Sequence, residues 1–240
     1  RVISSGFISD AQFDFLAAAG EAHSRHLPVS IENPDEAPMR AGIYLADGTG
    51  AGKTNEILGA IMDNNLQGRS KAILVLAKRR HRHGFLEAWA KMGRDRRDFI
   101  FQWDAKANQR LRGGRGILVT TYSTLRDWES TTETYPRIEQ IAAWAGDDFD
   151  GIMAFDEAQE MRNAAGEEDV TGKSLTSRQG LAGVALQEKL SDARVIYASA
   201  TGATDVHNLG YAIRLGLWSE GSCFQNRSEF IKTFESGGIA

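Results

Sequence analysis

Six short apolar runs, separated by segments of helical spacing, limit this chain to a small set of folds. The runs are 42–46, 73–77, 99–103, 117–121, 151–155 and 195–198. Each is nearly continuous rather than alternating, as expected of strands buried on both faces. Helical patterns cover 55–66, 83–92, 136–145, 180–190 and 207–215. Strands alternating with helices predict an α/β fold: a doubly wound, mostly parallel sheet with helices on both faces. A further helix is expected over 10–22, with Phe13, Leu16 and Ala17 on its apolar face and Ser9 or Asp10 as N-cap. The Pro-, Asn- and acid-rich stretch 28–38 reads as a loop. Residues 1–40 are therefore expected to lead into a core formed by 41–240. A polar, glycine-containing stretch, 164–178, is expected to be a mobile loop.

The first run leads into Leu45-Ala46-Asp47-Gly48-Thr49-Gly50-Ala51-Gly52-Lys53-Thr54, and a helical pattern follows. Strand, glycine-rich turn and helix form the context of a phosphate-binding P-loop. Gly48, Gly50 and Gly52 let backbone N–H groups turn inward around phosphates, and the helix start adds its positive dipole end. Lys53 is expected to reach the β- and γ-phosphates, and Thr54 to place its hydroxyl on Mg²⁺. Asp47 stands where the consensus has its first glycine, so a helix entered by a flexible turn is the alternative. The letters Gly172-Lys173-Ser174 recur later. No apolar strand leads into them and Glu167 occupies the first-glycine position, so they receive no phosphate role.

The run 151–155 ends in Asp156-Glu157-Ala158-Gln159. Functional groups of open parallel sheets gather beyond the carboxyl ends of the strands. A strand-terminal Asp156 would hold Mg²⁺ opposite Thr54, and Glu157 would accept a proton from an attacking water. Adjacent acids also occur at ordinary turns. Their pairing with an upstream P-loop is what favours a nucleoside-triphosphatase site.

The net charge of −4 conceals an uneven distribution. Residues 69–115 carry 14 Lys and Arg against four acids, which leaves 14 bases and 28 acids to the rest of the chain. Such asymmetry points either to an anionic partner, nucleic acid above all, or to a solvated basic face. The single cysteine, Cys223, excludes an internal disulfide and fits a reducing, cytoplasmic setting. No apolar run approaches the roughly 20 residues of a membrane span, and no signal-peptide pattern opens the chain. A start at Arg1 suggests a piece of a longer protein.

Gly-Ala-Gly-Lys-Thr (50–54), Asp-Glu-Ala-Gln (156–159) and Ser-Ala-Thr (199–201) occur in the order of the first RecA-like domain of superfamily 2 helicases and translocases. Residues 73–81 lie where that superfamily carries its motif Ia, and Thr120-Thr121-Tyr122 resembles the segment before its next helix. More narrowly, the chain resembles the Strawberry notch family of helicase-like ATPases, including bacterial and phage relatives. The most specific stretch is Ser199-Ala200-Thr201-Gly202-Ala203-Thr204-Asp205-Val206-His207-Asn208-Leu209, with Leu215-Gly216-Leu217-Trp218 behind it. Asp47 has a counterpart in Swi/Snf-like remodellers, which carry Ala-Asp before their glycines.

The resemblance implies ATP and Mg²⁺ as cofactors, a RecA-like P-loop fold, and a nucleic-acid partner, with DNA the expected form. It also implies that Ser199 and Thr201 couple nucleotide state to nucleic-acid grip, and that Gln12 reads adenine. Gln159 stands where the commoner versions carry His or Asp. Lys78, Arg79, Arg80, His81 and Arg82 follow the second strand, where this fold presents groups to a nucleic-acid backbone, and Thr121 and Tyr122 follow the fourth run. Arg and Lys there would contact phosphates without sequence preference. His81 and His83 lack a second local pair for a metal site. No second P-loop-like core fits after Thr201, so a second RecA-like domain is expected as a partner and slow hydrolysis from these residues alone. The rivals are a nucleotide-gated interaction module without catalysis and a non-motor P-loop enzyme; a GTPase would carry an Asn-Lys-x-Asp segment, and none is present.

Overall fold

The computed structural model describes residues 8–29, 38–46, 48, 50, 52–129, 131–162, 164, 177–200, 209–218, 222–226, 229, 230 and 233. All six apolar runs are strands: β1 (Ile43–Leu45), β2 (Lys71–Leu76), β3 (Phe99–Phe101), β4 (Gly116–Thr121), β5 (Ile152–Asp156) and β6 (Arg194–Ala198). They form one parallel sheet in the order β1-β6-β5-β2-β4-β3. The continuous apolar runs follow from this position, because successive side chains point to opposite faces and both faces are covered. Leu74, Leu76, Val119, Ala154 and Ile196 face one core. Ile73, Val75, Leu118, Met153, Phe155 and Tyr197 face the other.

The helices divide between those cores as a doubly wound sheet requires. On the first face lie α1 (Asp10–Ala22), α2 (Lys53–Leu66) and α3 (Arg82–Lys91), packing through Leu16, Ile57, Leu58, Phe85 and Trp89. On the second lie α4 (Tyr122–Leu125), α5 (Pro136–Ala145) and α6 (Arg178–Lys189), packing through Leu125, Ile138, Ile141, Trp144 and Leu186. The chain moves outward from β1 to β3 under one set of helices and returns through β4, β5 and β6 under the other, the pattern of right-handed crossovers. Among the described residues no helix is long and apolar enough to cross a membrane.

Local chemistry sets the helix ends. Pro136 occupies the first turn of α5 and Gly146, at φ +90°, ends it. Ser9 caps α1 in a reciprocal box, its hydroxyl accepting from Gln12 N while Gln12 Oε1 accepts from Ser9 N. The buried stripe of α1 differs from the expected one. Gln12, Ala19 and Ala22 are buried, whereas Phe13 is 45% exposed and Ala17 is exposed. Close approach to α2 decides this: a Cβ on Gly59 would lie 2.9 Å from Ile8 Cδ1 and 3.2 Å from Leu16 Cδ1, so the helices meet through Leu16.

A second difference lies at the end of the chain. The helix expected over 207–215 is, in its described part, a short 3₁₀ turn, Ile213–Leu215. Arg214 is wholly buried there and gives its guanidinium to carbonyls of Arg40, Ser191, Ala193, Gln187 and Leu190, while Gly216 at φ +67° turns the chain away. Those tertiary bonds outweigh a continuing helical ladder. The expected loop over 164–178 and the Gly172-Lys173-Ser174 sequence lie largely or wholly outside the described residues.

Candidate nucleotide and nucleic-acid site

Strand register gathers the candidate residues at one end of the sheet. Leu45 and Asp156 both pair with Ala198, and Leu76 pairs with Thr121, all at the carboxyl ends of their strands. Ser199 N continues the ladder to Leu45 O at 3.1 Å. The glycine loop, Ser199, Asp156-Glu157 and Lys78–Arg80 therefore leave the sheet at its carboxyl edge, where α/β folds place their ligands.

The loop between β1 and α2 has the conformation that its glycines permit. Gly50 has φ +86° and Gly52 φ +98°, a region that side chains disfavour. Gly52 caps α2 without any side-chain hydrogen bond, so the positive end of the helix faces the loop. A Cβ on Gly52 would also collide with Gln12 Nε2. Lys53 Nζ donates to Gly48 O at 3.0 Å, folding the lysine back over the loop. Gln12 Nε2 donates to Gly52 O at 3.4 Å and Gln12 Oε1 serves the α1 cap, so both ends of this amide are engaged beside the loop.

Asp156 is a largely covered carboxylate at the end of β5. Burial and the neighbouring Glu157 charge raise its pKa to about 6, against the opposing pull of His81 and Lys53. His81 Nδ1 lies 3.5 Å from Asp156 Oδ2, and the buried Tyr122 hydroxyl donates to Asp156 O at 3.0 Å. Glu157 has φ +53°, uncommon for a residue with a Cβ and costing on the order of 1–3 kcal/mol. Its Oε2 accepts from Gln159 Nε2 at 2.7 Å. Two adjacent carboxylates, one of them largely buried, suit a hard cation that would relieve their mutual repulsion, and Thr54 supplies a hydroxyl at the start of α2. Mg²⁺ is usually held by one or two carboxylates plus substrate phosphates.

Sequence reasoning placed His81 in the basic group after the second strand and weighed it as a metal ligand, but missed its contact with Asp156. Its contact with Asp156 depends on β2 lying next to β5, and no spacing in the chain reveals that neighbour. Lys78, Arg79 and Arg80 are exposed and form no ion pair among the described residues. Thr121 and Tyr122 differ from expectation. Both side chains are 1% exposed. Thr121 caps α4 and bonds Thr124, and Tyr122 stacks on Phe155, so neither side chain is available to a nucleic-acid backbone. Ser199 is fully buried, and Thr201 lies outside the described residues.

This fold and this loop define a P-loop NTP-hydrolase domain. The P-loop containing NTP hydrolase pore-1 family matches residues 1–240, and the chain belongs to it. The chain is 33% identical over 248 residues to Protein strawberry notch of Drosophila melanogaster, covering 100% of this chain and 14% of that protein. Protein strawberry notch homolog 1 of Homo sapiens is 34% identical over 253 residues, covering 100% and 17%. Protein FORGETTER 1 of Arabidopsis thaliana is 30% identical over 250 residues, covering 96% and 17%. The chain thus spans between 14% and 17% of the length of these relatives. All are eukaryotic, so the expected bacterial or phage character finds no support. Among solved structures, the Sulfolobus solfataricus SWI2/SNF2 ATPase core in complex with dsDNA superposes with a TM-score of 0.52 at 20% identity, covering 82% of this chain and 35% of that one. The likeness establishes a shared fold.

Proposed function

We propose that this chain is the ATP-binding half of a nucleic-acid-dependent helicase or translocase, coupling ATP hydrolysis to movement along DNA or its remodelling. Residues 1–40 lead into a first RecA-like domain, 41–240, and a second RecA-like domain closes over the nucleotide. Gly48, Gly50, Gly52 and Lys53 hold the phosphates, and Gln12 lies beside the loop to read the base. Thr54 and Asp156 hold Mg²⁺, which when bound neutralises charge on the phosphate oxygens. Glu157 accepts the proton of the attacking water, and its hydrogen bond to Gln159 orients the carboxylate. Ser199 and Thr201 tie nucleotide state to the neighbouring strand ends. Lys78, Arg79 and Arg80 neutralise backbone phosphates, giving salt-sensitive binding without sequence preference.

The observation that carries this reading is the register that sets the P-loop, the acids and an exposed basic segment on one sheet edge. The dsDNA-bound state of a relative in fold supports it. The test is ATP hydrolysis, with and without single- and double-stranded DNA, by the unaltered protein and by Glu157→Gln. DNA is expected to stimulate turnover, and the substitution to reduce it roughly 10²–10⁴-fold while ATP still binds. Hydrolysis indifferent to DNA would remove the motor. Nucleotide binding without hydrolysis by the unaltered protein would favour a nucleotide-gated module.

A further inference from the structure

Two of the basic residues behind β2 are not free-floating. Arg79 lies with its guanidinium carbon 5.3 Å from the ring centroid of Trp103, and Arg82 lies 5.6 Å from that of Phe101. The rings belong to a ladder built by edge strand β3 and the 3₁₀ turn that follows it. Phe99 and Phe101 stack at 6.5 Å, and Phe101 and Trp103 at 5.1 Å, with interplanar angles of 21° and 26°. Trp89 closes the inner end, edge-on to Phe99 at 6.1 Å. Phe99 and Trp89 are buried, whereas Phe101 and Trp103, the rings that carry the arginines, are only partly covered. Arg82 N donates to Arg79 O and Arg80 O within the chain, but neither guanidinium has a hydrogen-bond or ion-pair partner among the described residues.

A guanidinium resting on a ring face is attracted by the ring quadrupole while its N–H donors, which lie in the guanidinium plane, remain available. An exposed arginine normally loses rotamer freedom when it grips a phosphate, and that loss weakens binding. Here the loss is already incurred in the unliganded fold. We infer that Trp103 and Phe101 are positioning residues that pre-set Arg79 and Arg82 for the phosphates of a nucleic-acid backbone. The inference rests on the nucleic-acid reading above and adds to it residues that never touch the partner.

Such a role separates from direct contact by salt dependence. A residue that neutralises a phosphate sets the slope of log K against log salt, about 0.9 per contact on duplex DNA. A residue that only orients the cation changes affinity at constant slope. DNA binding by the chain is measured across a salt series for the unaltered protein, Arg79→Ala, Trp103→Leu and Trp103→Phe. Arg79→Ala is expected to weaken binding and to reduce the slope by about 0.9. Trp103→Leu keeps apolar bulk but removes the π face; it is expected to bind ~3- to 10-fold more weakly with the slope unchanged. Trp103→Phe, which restores a ring, is expected to recover most of the affinity. Circular dichroism confirms that each variant is folded. Wild-type affinity in Trp103→Leu, beside a weakened Arg79→Ala, would overturn the positioning role and leave the nucleic-acid reading intact. No DNA binding by the unaltered chain would overturn both.

Discussion

His23 shows how one side chain ties acid stability to the fold. It is 4% exposed at the end of α1, and its Nε2 lies 3.0 Å from Val195 O, a carbonyl that can only accept. Burial lowers its pKa to about 4; the Val195 bond opposes that shift, while the charges of Arg194 and Arg40 add to it. An unfolded histidine titrates near 6.5, so below that pH the unfolded chain takes up a proton that the native state refuses. The stability contributed above pH 6.5 is therefore lost as pH falls towards 4, by about 3 kcal/mol in all. Urea midpoints at pH 7 and pH 5 should differ less in His23→Gln, which keeps a donor for Val195 O, than in the unaltered chain. An equal difference in both would assign the acid sensitivity elsewhere. At the site, the P-loop and the two acids are legible in sequence because backbone geometry and carboxylate chemistry demand those residues. His81 and the inward-facing Thr121 and Tyr122 are not, because orientation depends on what packs behind each strand.

Among the elements, the segment after β6 depends most on tertiary bonds. Gly42 N donates to Arg214 O at 2.7 Å, and a Cβ on Gly42 would lie 2.9 Å from Arg214 Cβ, so three-residue β1 is held against this segment. The Arg214 guanidinium, its pKa brought down to about 10 by burial, stays charged at neutral pH and binds carbonyls at the end of α6 and before β1. Arg214→Leu would leave those carbonyls without donors. It is expected to cost on the order of 3–5 kcal/mol, read from urea unfolding. Arg214→Lys should recover only part of that, since a single ammonium cannot span the same acceptors. A loss below about 1 kcal/mol would mean that water replaces the guanidinium. Sequence spacing favours a helix here because apolar periodicity cannot register a buried arginine.

For the whole molecule, the question is how a P-loop half achieves turnover. In the proposed arrangement a second RecA-like domain supplies positive charge across the nucleotide. Charge of that kind is worth roughly 10³–10⁵ in rate in related phosphoryl transfers. The 240-residue chain is therefore expected to bind ATP but to hydrolyse it slowly in single-turnover assays, and a longer form carrying that domain to be faster by a large part of this factor. Rapid turnover by the 240 residues would place the whole catalytic machinery within them. By itself the sequence determined the six strands, the intervening helices as far as α6 apart from the one-turn α4, the parallel doubly wound class, and the loop and acids at its edge. These follow from periodicity and from residue types that local geometry requires. Only the tertiary structure decided that β5 lies between β2 and β6, that His81 faces Asp156, that Arg79 rests on Trp103, and that the last helical pattern gives way to a 3₁₀ turn. Each of these is a contact between residues distant in the chain, fixed by strand order and close packing rather than by any local pattern.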